Sequence, residues 1–315
     1  MNQFEETTQT DATSQPPARR KLTDNIIVLY LISILLILCG QTLGSFLTLL
    51  PFLAGSDAAI TAAMYLIFIG IWAVTLLYMR FTKKNRPLLA KIGAGAAGNN
   101  AKNLLLGLAA GFGLNAVCIL AAWLHGDISL YFDSFQPFAV AYIFLAVFVQ
   151  SSAEELVCRG FLYQRLRMGY RHPAVAIVGN SLLFAILHLM NSGVTPLSLL
   201  NIFVVGILFS FMVYYMDSLW CAMAAHAAWN FTQNIIFGLP NSGIVAPYSI
   251  LRLDAASAAD SFAYNVGFGI EGTLLADAVL IAADILLFAW GENARQNKPS
   301  SSPTAAQRTC GGSGR

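Results

Sequence analysis

Long apolar runs, separated by short polar segments, make up most of the chain. Eight of these runs approach the roughly 20 residues that an α-helix needs to cross the hydrocarbon core of a bilayer. They occupy residues 26–50, 58–79, 104–124, 136–158, 173–190, 197–216, 219–237 and 273–290. The pattern therefore predicts an all-α, polytopic membrane protein with about eight transmembrane helices.

The two ends of the chain lack this pattern. Residues 1–24 are rich in Thr, Ser and Gln and contain the basic cluster Arg19, Arg20 and Lys21, and residues 293–315 are rich in Ser, Thr and Gly. Segments with so few apolar residues cannot bury enough surface to fold. We expect disordered tails at 1–24 and 293–315 and one membrane domain over 25–292. The first apolar run is too long for a signal peptide.

Composition supports the membrane assignment and excludes other classes. Hydrophobic residues make up 57% and charged residues 11% of the 315 positions, whereas a soluble domain carries about 25% charged residues. A net charge of +2 is too small to indicate nucleic-acid binding. The five cysteines form no C-x-x-C pair, so they predict small buried apolar side chains rather than a disulfide or zinc framework.

Basic residues accumulate in loops that eight alternating helices place on one side. These loops contain residues 80–86, 165–171 and 295–298, and they share the side of the N-terminal basic cluster. The opposite loops carry mainly aspartates, with Arg252 as their basic residue. Because loops rich in Lys and Arg stay in the cytoplasm, we expect a multi-pass protein with both termini cytoplasmic.

Three ionisable residues, Glu154, Glu155 and Arg159, lie inside the fourth apolar run. Charge in hydrocarbon costs several kcal/mol, so such residues mark a functional site by default. The basic turn at 168–172 indicates that this helix continues to about residue 167. Glu154 precedes that turn by about 14 residues and His188 follows it by about 16, which places both about 21–24 Å from it. An antiparallel helix pair would therefore bring Glu154 and His188 to the same height.

The seventh run contains a second pattern of polar residues. His226 and Asn230 are four residues apart and share one helix face, as Phe184 and His188 do. His226 and Asn230 lie about 12 and 18 Å from the turn at Asp217, so their depth matches that of Glu154 less closely.

Other residues in the runs receive simpler interpretations. Asp277 and Asp284 are seven residues apart on the last helix. They would either line a polar cavity or, in the case of Asp284, lie near the cytoplasmic helix end. We expect Trp229, which lies close to His226 in the sequence, to pack against other helices rather than to contact a substrate.

The three polar clusters follow one another on separate predicted helices as Glu154-Glu155-x-x-x-Arg159, Phe184-x-x-x-His188 and His226-x-x-x-Asn230. In this order they resemble the motifs of the CAAX protease and bacteriocin-processing (CPBP, or Abi) family of intramembrane peptidases, which includes the type II CAAX prenyl endopeptidases. The resemblance covers about residues 136–290 and extends to the segment Phe268-Gly269-x-Glu271-Gly272. It implies a hydrolase that cleaves a peptide bond in a membrane-associated protein or peptide, with or without a prenyl group.

Helix geometry suggests roles for the first cluster. Glu155 and Arg159 have the i, i+4 spacing of an ion pair with the acid on the N-terminal side. Glu154 lies about 100° round the helix from Glu155 and can face another partner. It is therefore the predicted general base that takes a proton from a water molecule, with His188 orienting that water.

The second pattern supplies donors for the developing oxyanion. His226 and Asn230 would donate hydrogen bonds worth about 3–4 kcal/mol each, and the family resemblance implies the same division of labour. The predicted site has four catalytic and three supporting residues, namely Glu154, His188, His226 and Asn230, supported by Glu155, Arg159 and Phe184.

A metal ion is the main mechanistic alternative. Two histidines and a glutamate are an acceptable zinc ligand set, and the family has been described both as metalloproteases and as glutamate-dependent enzymes. The chain lacks His-Glu-x-x-His, and Asn230 suits an oxyanion donor better than a zinc ligand. We assign no certain cofactor, and a divalent metal such as zinc stays open.

Two other functions would use the same residues. A proton-coupled transporter would employ the glutamates and histidines as a relay, and a non-catalytic immunity or scaffold protein would keep them for binding. Buried charge brings no benefit to a scaffold, which favours the enzyme. We expect a membrane-associated substrate, the lipid bilayer as environment, no nucleic-acid partner and a bacterial cytoplasmic membrane location. The sequence leaves substrate, host and oligomeric state open.

Overall fold

The computed structural model describes residues 24–50 and 55–297. The basic cluster of the predicted N-terminal tail and most of the predicted C-terminal tail lie outside these residues. The last helix reaches Gln296, which extends past the predicted domain boundary at residue 292. The α-helices of the described residues are α1 (Ile26–Ser45), α2 (Asp57–Leu66), α3 (Ile69–Phe81), α4 (Leu89–Ile92), α5 (Ala101–His125), α6 (Pro137–Glu155), α7 (Gln164–Gly169), α8 (Pro173–Leu187), α9 (Pro196–Met216), α10 (Leu219–Phe231) and α11 (Leu274–Gln296).

The helices confirm an all-α, multi-pass membrane protein. In the described ranges, six helical segments are long and apolar enough to cross a membrane. They are Ile26–Leu49, Asp57–Phe81, Ala101–His125, Pro137–Gly169, Pro196–Met216 and Leu274–Gln296. The runs predicted at 173–190 and 219–237 form α8 and α10, so each predicted run contains a helix. α8 is apolar but shorter than the six spanning segments. It has 15 residues and ends three residues before the predicted boundary.

The fourth predicted helix continues past its charged residues, as the basic turn indicated. α6 and α7 are joined by a π-helical stretch, Leu156–Tyr163, that begins directly after Glu155. Together these elements form a single span of 33 residues. The carboxylates therefore lie in the middle of a helix rather than at its end. Wide π-helical turns within α-helices are frequent at functional sites.

Glycines allow close approach where α10 packs on α5. A Cβ atom on Gly107 would collide with the backbone of Cys221, and one on Gly111 would collide with that of Ala225. Small residues at such spacing let membrane helices approach closely. This contact holds α10, which carries His226 and Asn230, in the interior of the molecule.

The spanning helices fall into central and peripheral groups. Protein contacts bury 56% of the apolar window of Pro137–Gly169 and the same share of Pro196–Met216. The corresponding share is 28% for Ile26–Leu49 and 22% for Leu274–Gln296. Most of the surface of the peripheral helices is thus left for lipid, while the central helices are enclosed by protein.

Residues 232–273 connect α10 to α11. They begin with a π-helical stretch, Thr232–Ile236, that continues α10, and they contain little other regular structure. Strand β2 (Leu251–Leu253) pairs antiparallel with β1 (Leu130–Phe132), which lies in the α5–α6 connection. A short 3₁₀ helix, Ile270–Gly272, precedes α11. This connection folds back over the end of α10 and contributes to the site described below.

A charged network ties the start of α1 to two other segments. Asp24 pairs with Lys84 and, at 2.7 Å, with Arg165, whose side chain is 3% exposed. Burial by itself would raise the pKa of the Asp24 carboxyl, but the hydrogen bonds and charges of Lys84 and Arg165 outweigh it and lower that pKa below its ordinary range. The network therefore favours the ionised carboxylate.

Candidate active site

A cavity of about 460 Å³ brings most of the predicted site residues together. Its wall is formed by side chains of α1, α2, α6, α8, α9 and α10 and of the α10–α11 connection. Five predicted residues line it, namely Glu154, Phe184, His188, His226 and Asn230. The predicted match in depth between Glu154 and His188 agrees with their shared position on this wall.

The ion pair expected from the i, i+4 spacing is present behind this wall. Arg159 Nη1 donates to Glu155 Oε1 at 2.8 Å, and neither side chain is exposed. Arg159 Nη2 donates to the carbonyl oxygen of Gly206 at 2.8 Å, and the guanidinium lies over the rings of Phe184 and Phe209 at 4.7 and 5.4 Å. These contacts offset part of the cost of burying both charges. Glu155 Oε2 and Arg159 Nε are buried without a hydrogen-bond partner among the described residues.

The two ring nitrogens of His226 face the two carboxylates. Nδ1 lies 3.1 Å from Glu155 Oε1, and the same oxygen accepts from Arg159. Because a carboxylate oxygen accepts, the tautomer with the proton on Nδ1 fits this contact. Nε2 lies 3.8 Å from Glu154 Oε2, which is beyond hydrogen-bond distance.

Glu154 has one hydrogen-bonded oxygen and one unpaired oxygen. Gln150 Nε2 donates to Glu154 Oε1 at 2.7 Å. Oε2 is buried and has no hydrogen-bond partner among the described residues. A buried unpaired carboxylate oxygen requires an explanation, because most such atoms in folded proteins are hydrogen-bonded.

His188 lies one residue past the end of α8, although the sequence placed it within the helix. Its Nδ1 lies 2.8 Å from the carbonyl oxygen of Phe184, which can only accept, so Nδ1 donates. The other ring nitrogen of a neutral His188 is consequently an acceptor. The Phe184 ring packs edge-on against His188 at 4.8 Å and against His226 at 5.7 Å, so it separates the two imidazoles.

The side-chain amide of Asn230 forms hydrogen bonds with neighbouring side chains. Nδ2 donates to Gln150 Oε1 at 3.1 Å and to Ser151 Oγ at 3.2 Å, and Oδ1 accepts from Asn241 at 3.2 Å. Both N–H groups therefore have acceptors in this conformation. The oxyanion role predicted for Asn230 would require one of these hydrogen bonds to be given up.

The sequence analysis missed Gln150 and Asn241 at the site, and it named Glu271 in the family resemblance without giving it a role. Gln150 and Asn241 connect the predicted residues, and Glu271 accepts from the Trp229 indole at 3.0 Å. Trp229 thus does more than the predicted packing. Burial raises the pKa of the Glu271 carboxyl, although hydrogen bonds from Ser242 and Trp229 act in the opposite direction. Of these residues, Gln150 carried a usable signal, since it precedes Glu154 by one helical turn.

The described residues form no metal-binding group. In residues 24–50 and 55–297, no group of three or more His, Cys, Asp or Glu side chains has a metal-binding arrangement. The Phe184 ring also lies between the rings of the two histidines. We therefore derive no step through a metal.

The two acids of α11 differ from those of α6. Asp277 accepts from Asn201 Nδ2 at 3.0 Å, and Asn201 lines the cavity. Asp277 therefore contacts a residue of the cavity wall. Asp284 is not part of that wall, and its Oδ1 lacks a partner in the described part of the chain.

Comparison with known proteins adds one match. Residues 136–232 match the family model described as Rce1-like, type II CAAX prenyl endopeptidase. The comparisons with curated proteins and with solved structures gave no match. The matched segment contains all seven residues of the predicted site, whereas Asn241 and Glu271 lie beyond it.

Proposed function

Because residues 136–232 form a domain of the Rce1-like type II CAAX prenyl endopeptidase family, we propose that this integral membrane protein is an intramembrane endopeptidase with Glu154 as its general base. The family indicates a protease that acts on a membrane-associated protein substrate. The catalytic residues and the substrate are part of the proposal. We keep the cytoplasmic location of both termini, in a bacterial cytoplasmic membrane, as a further part of it.

The unpaired oxygen of Glu154 carries the proposal. Oε2 is buried at the wall of a cavity of about 460 Å³, which has ample room for water and for a peptide segment. Gln150 fixes the orientation of the carboxylate through the other oxygen. A water molecule bound to Oε2 would lie where a base is available and bulk solvent is scarce. This combination suits general-base catalysis.

The two histidines support different roles because their Nδ1 atoms have different partners. His188 donates through Nδ1 to the Phe184 carbonyl and keeps an acceptor nitrogen for a second hydrogen of the water. His226 donates through Nδ1 to Glu155, and its doubly protonated form would offer Nε2–H to an oxyanion. Glu155, paired with Arg159, holds the His226 ring in this orientation.

The reaction follows from these positions. The water oxygen attacks the carbonyl carbon of the scissile peptide bond as its proton passes to Glu154. The carbonyl oxygen becomes an oxyanion that accepts from His226. The C–N bond then breaks and Glu154 returns the proton to the leaving amine, which regenerates the carboxylate. Oxyanion stabilisation by one donor contributes about 3–4 kcal/mol.

The cavity wall suits an apolar or lipid-bearing peptide. Ile37 and Leu38 of α1, together with Met64 and Phe68 from the second spanning segment, form one side of it. Of the described residues, no lysine or arginine lines the cavity. A substrate would thus be held mainly by apolar contacts and by amide and imidazole groups.

The proposal is tested by peptide cleavage in proteoliposomes. Purified protein is incubated with matched farnesylated and unmodified membrane peptides, and the products are identified by mass spectrometry. We expect wild-type protein to cleave at least one peptide and Glu154→Gln to leave both intact. Proton flux into the liposomes without cleavage of either peptide would contradict the protease and support a transporter.

A further inference from the structure

Glu271 is a buried acid that the proposed chemistry does not use. It lies in the 3₁₀ helix Ile270–Gly272 and is 7% exposed. Oε1 accepts from Trp229 Nε1 at 3.0 Å and from Asn241 Nδ2 at 3.1 Å. Oε2 accepts from the backbone N–H of Ser242 at 2.5 Å and from its hydroxyl at 2.9 Å. With four donors around it, the carboxylate is saturated and is not suited to bind a ligand.

A chain of hydrogen bonds leads from Glu271 to the proposed base. Asn241 Nδ2 donates to Glu271 and to Asn230 Oδ1, and Asn230 Nδ2 donates to Gln150 Oε1 at 3.1 Å. Gln150 Nε2 then donates to Glu154 Oε1 at 2.7 Å. Three side-chain amides thus connect two carboxylates that belong to different parts of the sequence.

The carboxylates at the two ends set the direction of every amide in this chain. An ionised carboxylate only accepts, so Asn241 must turn its NH₂ group towards Glu271. Its second N–H then requires the oxygen of Asn230, which turns the Asn230 NH₂ group towards Gln150. Gln150 accepts there and presents its own NH₂ group to Glu154. If Asn241 were reversed, the chain would place an acceptor against an acceptor.

The turn that contains Asn241 depends on the same carboxylate. Ser242 has a φ of 48°, a left-handed conformation that is unfavourable for a residue other than glycine. Gly243 follows with a φ of 82°. The bonds from Ser242 to Glu271 compensate this strain, and Asn191 Nδ2 additionally donates to the Ser242 carbonyl oxygen at 3.1 Å.

We propose that Glu271 is a positioning residue for the active site. It holds the turn at 241–243 and, through Asn241, Asn230 and Gln150, fixes the N–H group that orients Glu154. The catalytic part of this inference rests on the proposed function. The part that concerns the turn is independent of it.

Hydrogen–deuterium exchange tests the turn directly. In Glu271→Ala, we expect the backbone amide of Ser242 to exchange at least about tenfold faster than in wild type, since its acceptor is gone. Peptides from the first half of α6 should exchange as before. Glu292→Gln is the matched control. Glu292 lies near the C-terminal end of α11 and accepts a hydrogen bond from Tyr215 of α9. Unchanged exchange of Ser242 in Glu271→Ala would overturn the inference.

Kinetics test the effect on Glu154. Glu271→Gln keeps the size of the side chain but adds an NH₂ group that opposes the donors of Asn241 and Ser242. We expect kcat to fall roughly ten- to a hundredfold, as for loss of one hydrogen bond to a charged group, with KM within about twofold. Glu271→Asp, which keeps the charge, should lose less. Wild-type kcat in Glu271→Gln would contradict the proposal.

A double variant separates positioning from general loss of structure. Because Glu271 and Asn241 act in one chain, Glu271→Gln combined with Asn241→Ala should lose no more kcat than the worse single variant. Losses that multiply would show that the two residues act separately and would overturn the inference. If wild-type protein cleaves no peptide at all, the proposed function fails, and the exchange of Ser242 still decides whether Glu271 holds the turn.

Discussion

Two helices of this protein each carry two acids inside an apolar segment, yet their surroundings differ. The span that contains Glu154 and Glu155 has 56% of its apolar window buried by protein, whereas that of α11, with Asp277 and Asp284, has 22%. Glu155 has Arg159 and His226 as partners. Among the described residues, Asp284 Oδ1 has none.

The difference shows what distinguishes a site from an acidic residue in a membrane helix. Arg159 and Gln150 of the same span and His226 of α10 contact the two carboxylates of α6. Glu154 Oε2 has no hydrogen-bond partner among the described residues, and Glu154 lines the cavity. On α11, Asp277 has one amide partner, and Asp284 lies away from the cavity. Spacing alone does not identify chemistry. A network of charged and amide partners around an acid at a cavity wall does.

The ion pair behind the site offers the largest expected effect. Arg159→Met leaves Glu155 buried without its cation, and breaking one partner of a buried pair costs about 3–5 kcal/mol. We expect the free energy of unfolding in mixed micelles to fall by that amount. Arg167→Met, on the same span and beside the Tyr214 ring, is the control and should cost much less. Equal losses would mean that the pair stabilises nothing.

The oxyanion donor comes next. His226→Ala removes the proposed oxyanion donor, so kcat should fall about 10²–10³-fold, the usual cost of losing one such donor. His125→Ala is the matched histidine control, because its side chain is 52% exposed and pairs with Asp127. Cleavage is measured under single-turnover conditions. A loss of kcat below about fivefold would contradict this role and indicate that another group stabilises the oxyanion.

A smaller effect is expected far from the site, at the start of α1. Asp24→Asn weakens the bonds to Lys84 and Arg165 and should cost about 1–3 kcal/mol. Because the pKa of Asp24 is lowered, its contribution is present above its ordinary value of 3.8 and is lost as the pH falls through the lower folded-state pKa. The stability difference between wild type and variant should therefore shrink in acid.

A second ion pair provides the control for Asp24. Asp133 and Arg252 form a half-exposed pair at 2.8 Å, so Asp133→Asn should cost less than about 1 kcal/mol. A difference between Asp24→Asn and wild type that grows in acid would contradict the account of this network.

The peripheral acid should give the smallest effect. Asp284→Asn replaces a carboxyl group that forms no ion pair within the described residues and whose Oδ1 has no hydrogen-bond partner there, so activity should stay within about twofold and stability should not decrease. Thermal unfolding and peptide cleavage measure both. A loss of activity comparable to that of His226→Ala would indicate that Asp284 of α11 takes part in catalysis.

The sequence was sufficient for features that depend on local periodicity. Apolar runs located the helices, i, i+4 spacing predicted the pair of Glu155 and Arg159, and counting from the turn placed Glu154 and His188 on one cavity. The end of α8 was missed by three residues, because an apolar run does not show where the last turn unwinds. That difference places His188 beyond the helix and lets Nδ1 reach the Phe184 carbonyl.

Features that depend on contacts across the fold could not be predicted. Asn230 shares a helix face with His226, but the direction of its amide is set by Asn241 in the following connection. Glu271 lies in an irregular segment without periodicity, and its partners are distant in sequence. A sequence does not show in which direction a side-chain amide points. The carboxylates that orient them are visible only once the chain is folded.

The most direct test of the central claim compares the acids of the two helices in one assay. Single-turnover cleavage of the same peptide is measured for wild type, Glu154→Gln and the double variant Asp277→Asn with Asp284→Asn. Loss of the general base should lower the rate of Glu154→Gln by about 10²–10⁴-fold, while the double variant stays within about fivefold of wild type. Wild-type cleavage by Glu154→Gln would contradict the assignment of the chemistry to α6.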